Sequence, residues 1–212
     1  MSRRVRTRAG RGRDKGRAGR QASTLRLIGG AWRGRRVAIA DAPGLRPTPD
    51  RVRETLFNWL APRIEGARCI DLFAGTGALG LEALSRGAAH VQFVERDRAA
   101  VTAIRSALAT LGAAERAAIV QTDALMLPPG GANADIVFID PPFNADLHVA
   151  ALAAISVRLA PHARIYLEYP AEQQTEIAAA LSRDHAILNA RQAGRVGYCL
   201  AQPTPASQYN EP

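Results

Sequence analysis

Asp135-Ile136-Val137-Phe138-Ile139-Asp140-Pro141-Pro142-Phe143 is the stretch on which the reading of this chain turns. Its apolar run reads as a strand buried on both faces. A carboxylate follows, then two prolines and an aromatic ring. Proline fixes φ and has no N–H, so neither proline extends a sheet ladder. The chain therefore leaves the sheet in a stiff turn at the carboxyl end of a strand, where open α/β sheets bind their ligands. The Asp140 carboxylate, the Pro141 carbonyl and the Phe143 ring are presented together. Two acceptors beside a flat apolar surface suit a planar ring bearing an NH2 group. Taken alone, the stretch is equally a capped strand end followed by a helix stop.

The flanking pattern places this strand in a sheet. Strands are expected at 68–73, 90–95, 118–122, 135–139 and 164–169, and helices at 79–86, 98–111, 147–159 and 172–181. Strands alternating with helices imply a parallel sheet covered on both faces. Residues 186–190 and 195–201 read as a closing antiparallel hairpin turning at Gly194. Upstream, Thr24 to Ile39 alternates at period two around Gly29-Gly30 and reads as a β-hairpin. Trp32 beside Arg33, Arg35 and Arg36 is either a small platform for nucleic acid or an ordinary anchor. Thr48 is expected as the N-cap of a helix with Pro49 in its first position, and Val52, Leu56, Trp59 and Leu60 form its apolar face. Arg46, Asp50 and Arg53 gather at that helix start.

The 212 residues and 47% hydrophobic content suffice for one α/β domain with a small appendage. Four sections are expected: a disordered basic tail over 1–22, a hairpin and helix over 23–62, the α/β domain over 63–203 and a loose end over 204–212. Residues 1–20 hold nine basic side chains and one acidic, while 54–212 hold twelve and sixteen. A basic front on a mildly acidic body points to a polyanion partner. No apolar run approaches a membrane span, and the arginine-rich start lacks the apolar segment of a secretory signal. Cys69 and Cys199 have neither disulfide nor metal-ligand spacing, which suits a reducing cytoplasm.

Gly75-x-Gly77-x-x-Gly80 follows a strand and opens a helix, so backbone N–H groups face a ligand there. Glu95, 20 residues after Gly75, ends the next strand and suits a ribose diol. By themselves these features fit a nicotinamide dinucleotide. Asp71, within the preceding strand, and Asp123, at the end of the third, argue otherwise. Acids beside the glycine loop would repel a pyrophosphate. A cationic amino group, a ribose and an adenine, met by Asp71, Glu95 and Asp123, describe S-adenosylmethionine.

Asp71-Leu72-Phe73-Ala74-Gly75-Thr76-Gly77-Ala78-Leu79-Gly80 with Ile139-Asp140-Pro141-Pro142-Phe143 resembles the class I amino-methyltransferases. Arg46-Pro47-Thr48-x-Asp50-x-Val52-Arg53-Glu54-x-Leu56-Phe57-Asn58 resembles the RsmD family of bacterial 16S ribosomal RNA guanine-N2 methyltransferases. The resemblance covers about residues 24–201 and leaves the arginine tail outside it. It implies a Rossmann-like, seven-stranded, mostly parallel sheet with helices on both faces, and a substrate guanine at position 966 in a 30S subunit or assembly intermediate. The implied cofactor site is Asp71, Phe73, Ala74, Gly75, Gly77, Glu95, Asp123 and Ala124. Asp140, Pro141 and Phe143 would act on the base, while Arg33, Arg35, Arg46, Thr48, Arg53 and Pro142 would hold the RNA. A cytoplasmic monomer without metal is expected. Another amino-methyltransferase acting on RNA or DNA, a nicotinamide oxidoreductase and a non-catalytic RNA-binding assembly factor are the alternatives.

Overall fold

Strand pairing in this computed structural model, which describes residues 23–40, 48–128, 130–143 and 145–204, follows from where the apolar runs lie. The tail at 1–22, Arg46 and the end beyond Thr204 lie outside the described residues. β1 (Thr24–Arg26) and β2 (Arg36–Ala38) pair antiparallel and precede helix α1 (Asp50–Leu60). The main domain then runs β3 (Arg68–Asp71), α2 (Ala78–Ser85), β4 (His90–Val94), α3 (Arg98–Leu111), β5 (Ala117–Val120) and β6 (Ala134–Ile139). It continues with α4 (His148–Ile155), β7 (Leu159–Pro170), α5 (Gln174–Leu181), β8 (His185–Ala193) and β9 (Val196–Pro203).

Seven strands form one sheet in the order β5-β4-β3-β6-β7-β9-β8. β5, β4, β3, β6 and β7 are parallel; β9 inserts antiparallel between β7 and the edge strand β8. The chain reverses direction across the sheet between β3 and β6, which opens the ligand crevice at their carboxyl ends. Each face buries its own apolar set. Phe57, Leu81, Phe93, Phe138 and Tyr166 fill the side covered by α1, α2 and α3, and Val137, Ile139, Ile155, Leu167 and Ile177 the other. Phe57 and Phe138 rings lie 5.9 Å apart, tying α1 to the central strand.

Three expectations are corrected. The helix expected over 147–159 stops at Ile155, because the next turn must bring Arg158 inward. There Arg158 donates to the Pro128 carbonyl at 3.0 Å and to Gln92 at 2.9 Å, and β7 begins at Leu159. Thr48 does not cap α1; Pro49 occupies the cap position and the Thr48 hydroxyl is engaged elsewhere. Trp32 is not a platform. It is 8% exposed, its backbone N–H donates to Ser85 Oγ at 3.0 Å, and the Arg116 guanidinium lies 5.3 Å from its ring. The short turn around Trp32 lies so close to α2 that Gly30, at φ 72°, leaves no space for a Cβ against the Ser85 carbonyl.

A buried charge network locks this N-terminal unit to the domain. Glu82 on α2 is fully buried; it accepts from the Ile28 backbone N–H at 3.0 Å, Arg53 at 3.3 Å and Arg86 at 2.8 Å. Arg53, 1% exposed, also donates to the carbonyls of Thr48 and Arg26 and to Asp50. Arg53 was expected to touch RNA. Its donors are spent inside the protein, so it positions the helix start instead. Removing one partner of such a network leaves an uncompensated buried charge, a loss of about 3–5 kcal/mol. Arg53→Ala is therefore expected to lower the unfolding free energy by about that amount, read from urea denaturation.

Candidate functional site

The glycine loop is shaped by packing on both sides. The Gly75 N–H donates to Glu95 Oε2 at 2.7 Å, and Gly77, at φ 76°, starts α2 in a left-handed conformation. At Gly80 a Cβ would drive into the Phe93 ring, so α2 approaches β4 closely only because position 80 has no side chain. This docking brings the first turn of α2 over the end of β3. There the Gly80 N–H donates to Asp71 Oδ2 at 2.9 Å.

The three acids stand at the carboxyl ends of successive strands. Asp71 closes β3 and is 2% exposed. Glu95 follows β4 and accepts from Gly75 and from Asp97 N–H, at 2.8 Å for the second. Asp123 follows β5 and caps the single turn Ala124–Met126 by accepting from Leu125 N–H at 2.9 Å. Phe73 is half-buried, and Ala74 holds the loop to β4 through Val94. Each carboxylate oxygen retains a second lone pair for a ligand. The loop 72–77 contains no basic residue. A ligand carrying a cation, a diol and an amine fits this set of acceptors, and a pyrophosphate does not.

On the neighbouring strand, Asp140 directly follows β6 on the same face as Asp71. The Thr48 hydroxyl donates to Asp140 Oδ2 at 3.3 Å, so residues 92 positions apart meet at the turn. Pro141 is buried, Pro142 is exposed, and the Phe143 ring is 39% exposed beside the crevice mouth. Arg33 and Arg35 are exposed on the hairpin, and Arg35 donates to the Thr110 carbonyl at 2.9 Å. Burial pushes the Asp140 carboxyl well above the usual range, helped by the charges of Glu168 and Asp71 and opposed by the Thr48 bond. Burial likewise raises Asp71 to about 7, against the Gly80 hydrogen bond, with Glu95 adding to the rise.

Two residues at this site escape a reading based on motifs. Glu168, 4% exposed on β7, lies behind Asp140, and the Tyr166 hydroxyl donates to it at 2.9 Å. The available signal was a single acid inside the apolar run Ile165-Tyr166-Leu167-Glu168-Tyr169. Among the described residues no group of three or more His, Cys, Asp or Glu side chains could hold a metal ion. Among them, too, no helix is long and apolar enough to cross a membrane.

A seven-stranded sheet of this order, with a glycine loop after β3 and a D-P-P-F turn after β6, is that of a class I methyltransferase. The chain belongs to the RsmD family: the family model described as "Conserved hypothetical protein 95" matches residues 25–202. It is 46% identical over 181 residues to the ribosomal RNA small subunit methyltransferase D of Escherichia coli, covering 84% of this chain and 89% of that relative. The Haemophilus influenzae protein of the same name is 43% identical over 150 residues, covering 68% and 78%. The solved structure of the Escherichia coli methyltransferase yhhF superposes with a TM-score of 0.75 at 44% identity, covering 85% of this chain and 98% of that one.

The raised Asp71 has a sign that can be tested. A carboxyl whose folded pKa exceeds its unfolded value contributes stability at low pH that is lost as pH rises. The window runs from 3.8 to about 7. Asp71→Asn is expected to make the fall of unfolding free energy across that window shallower, measured by denaturant titration at a series of pH values.

Proposed function

We propose that this methyltransferase moves a methyl group from S-adenosylmethionine to the exocyclic N2 of a guanine in small-subunit ribosomal RNA. The observation that carries the reading is the Asp140-Pro141-Pro142-Phe143 turn, which faces the Asp71 end of β3 across the crevice. The names of the relatives support ribosomal RNA as the substrate class. The nicotinamide alternative loses its support in the acids around the glycine loop.

When bound, S-adenosylmethionine supplies an electrophilic methyl group. The chain's own residues do the rest. Asp71, Glu95 and Asp123, with Phe73 and Ala74 and the start of the Ala124 turn, would hold the cofactor's ammonium, ribose and adenine. The guanine must leave its stack to enter, and Phe143 offers a ring on which it stacks. The guanine amine is a poor nucleophile because its lone pair is delocalised into the ring. The Asp140 carboxylate and Pro141 carbonyl would accept its two N–H bonds and turn that lone pair toward the methyl group. Acceleration comes from orientation and from charge fixed in place beforehand. Prolines 141 and 142 keep the acceptors from swinging away. Arg33 and Arg35, exposed on the hairpin, would meet phosphates.

Glu95→Ala is expected to weaken S-adenosylmethionine binding by roughly 1–3 kcal/mol, read by calorimetry; unchanged affinity would remove Glu95 from the ribose. Asp140→Ala should leave that binding intact and slow single-turnover methyl transfer to unmodified 30S particles by about 10²–10³. Phe143→Ala should weaken base binding by roughly 1–3 kcal/mol. Nucleoside analysis of the product identifies the methylated atom. Transfer by Asp140→Ala at the wild-type rate would refute the amine-orienting role.

A further inference from the structure

The register of the two strands behind the turn brings a second carboxyl to the reacting amine's acceptor. β6 and β7 are parallel, with Ile139 opposite Leu167. The next residue on each, Asp140 and Glu168, therefore stand side by side and point to the same face. Each strand side of the pair is accounted for. From β7 the Tyr166 hydroxyl donates to Glu168 Oε2 at 2.9 Å. From β9, Tyr198 pairs in register with Glu168, and its ring lies 6.3 Å from that of Tyr166. From β3 comes the buried carboxyl of Asp71, and from the start of α1 the Thr48 hydroxyl. From α4, His148 Nε2 lies 3.0 Å from the Glu168 backbone carbonyl. Arg53 and Asp50, the nearby charges on α1, bond to each other. The ion pairs among the described residues include neither Asp140 nor Glu168.

Two adjacent carboxyls, one buried and one half-buried, without a cation cannot both ionise cheaply, and such a pair holds one proton between them. We propose that Glu168 is a positioning residue for methyl transfer, sharing a single proton with Asp140 and so controlling when the Asp140 carboxylate is free to accept the guanine amine. This rests on the guanine-N2 reading above. In the transfer the N2–CH3 bond forms as the S–CH3 bond breaks, with its electron pair returning to sulfur. N2 gains positive charge and sheds one proton, which the Asp140 carboxylate takes and passes to solvent after product leaves. The Glu168 charge makes Asp140 a base that retains that proton. The cost is activity at acidic pH, where the pair stays protonated. Burial raises both carboxyls; the Glu168 charge adds to the rise at Asp140, and the Tyr166 hydrogen bond opposes it at Glu168.

Glu168→Gln keeps an acceptor for Tyr166 and removes the charge. Single-turnover transfer to unmodified 30S particles should then lose its near-neutral acid limb. The limb should move to lower pH by about one unit or more, with S-adenosylhomocysteine affinity unchanged. Tyr166→Phe removes the donor that favours ionised Glu168, and should move the limb the same way by a smaller step even if Glu168→Gln folds poorly. Infrared titration of the free protein provides a readout independent of substrate. Near pH 6 the wild type should show one more protonated buried carboxyl than either Glu168→Gln or Asp140→Asn. A limb and an infrared signal both unmoved by Glu168→Gln and by Tyr166→Phe would overturn the proposal, even if the rate fell. If wild-type enzyme fails on 30S particles yet the shared proton is seen, the substrate reading fails and the carboxyl pair stands.

Discussion

Glu82 is the point through which the N-terminal unit and the domain hold each other. Its carboxylate lies in an apolar environment and is tolerable only because three donors meet it there. One donor comes from the hairpin, one from α1 and one from its own helix. This network sets where α1 begins. The start of α1 in turn places the Thr48 hydroxyl on Asp140, and the first turn of α2 places Gly80 N–H on Asp71. Thus a single buried acid, remote from any reacting atom, fixes the backbone on both sides of the crevice.

Much of this was legible beforehand. The alternation of apolar runs with helical stretches located the sheet, and the acids at 71, 95, 123 and 140 marked its carboxyl ends. Errors arose where a side chain's use depended on a distant partner. Arg53 has the sequence signature of a phosphate ligand, yet Glu82, 29 residues away, claims it. Thr48 has the signature of a cap, yet Asp140 claims its hydroxyl. Trp32 stands among arginines in the chain, but in space its arginine is Arg116, reached through α3 and β5. Local pattern predicts local structure; it carries no information about which partner wins a donor.

Glu168 illustrates the same limit from the other direction. A lone acid in an apolar strand marks residue 168 as unusual but does not assign it to the site, since the relation to Asp140 exists only through the pairing of β6 with β7. Register is a property of two segments, and a slip of one residue would turn Glu168 to the opposite face. The apolar residues that alternate with it, Ile165, Leu167 and Tyr169 on one side, prevent that slip by their burial.

The insertion of β9 between β7 and β8 bears on how the polypeptide is made. Every other covering of β7 is synthesised before residue 182, but the strand that seals its open edge arrives last. Until then β8 has no neighbour with which to pair, and Tyr198 is not yet beside Tyr166 and Trp59. A chain halted before Val196 would leave the β7 edge unpaired and Glu168 without its partner Tyr198. Loss of β9 would therefore bare an edge strand and the rear of the site together, so exposure to aggregation and damage to the carboxyl pair share one cause.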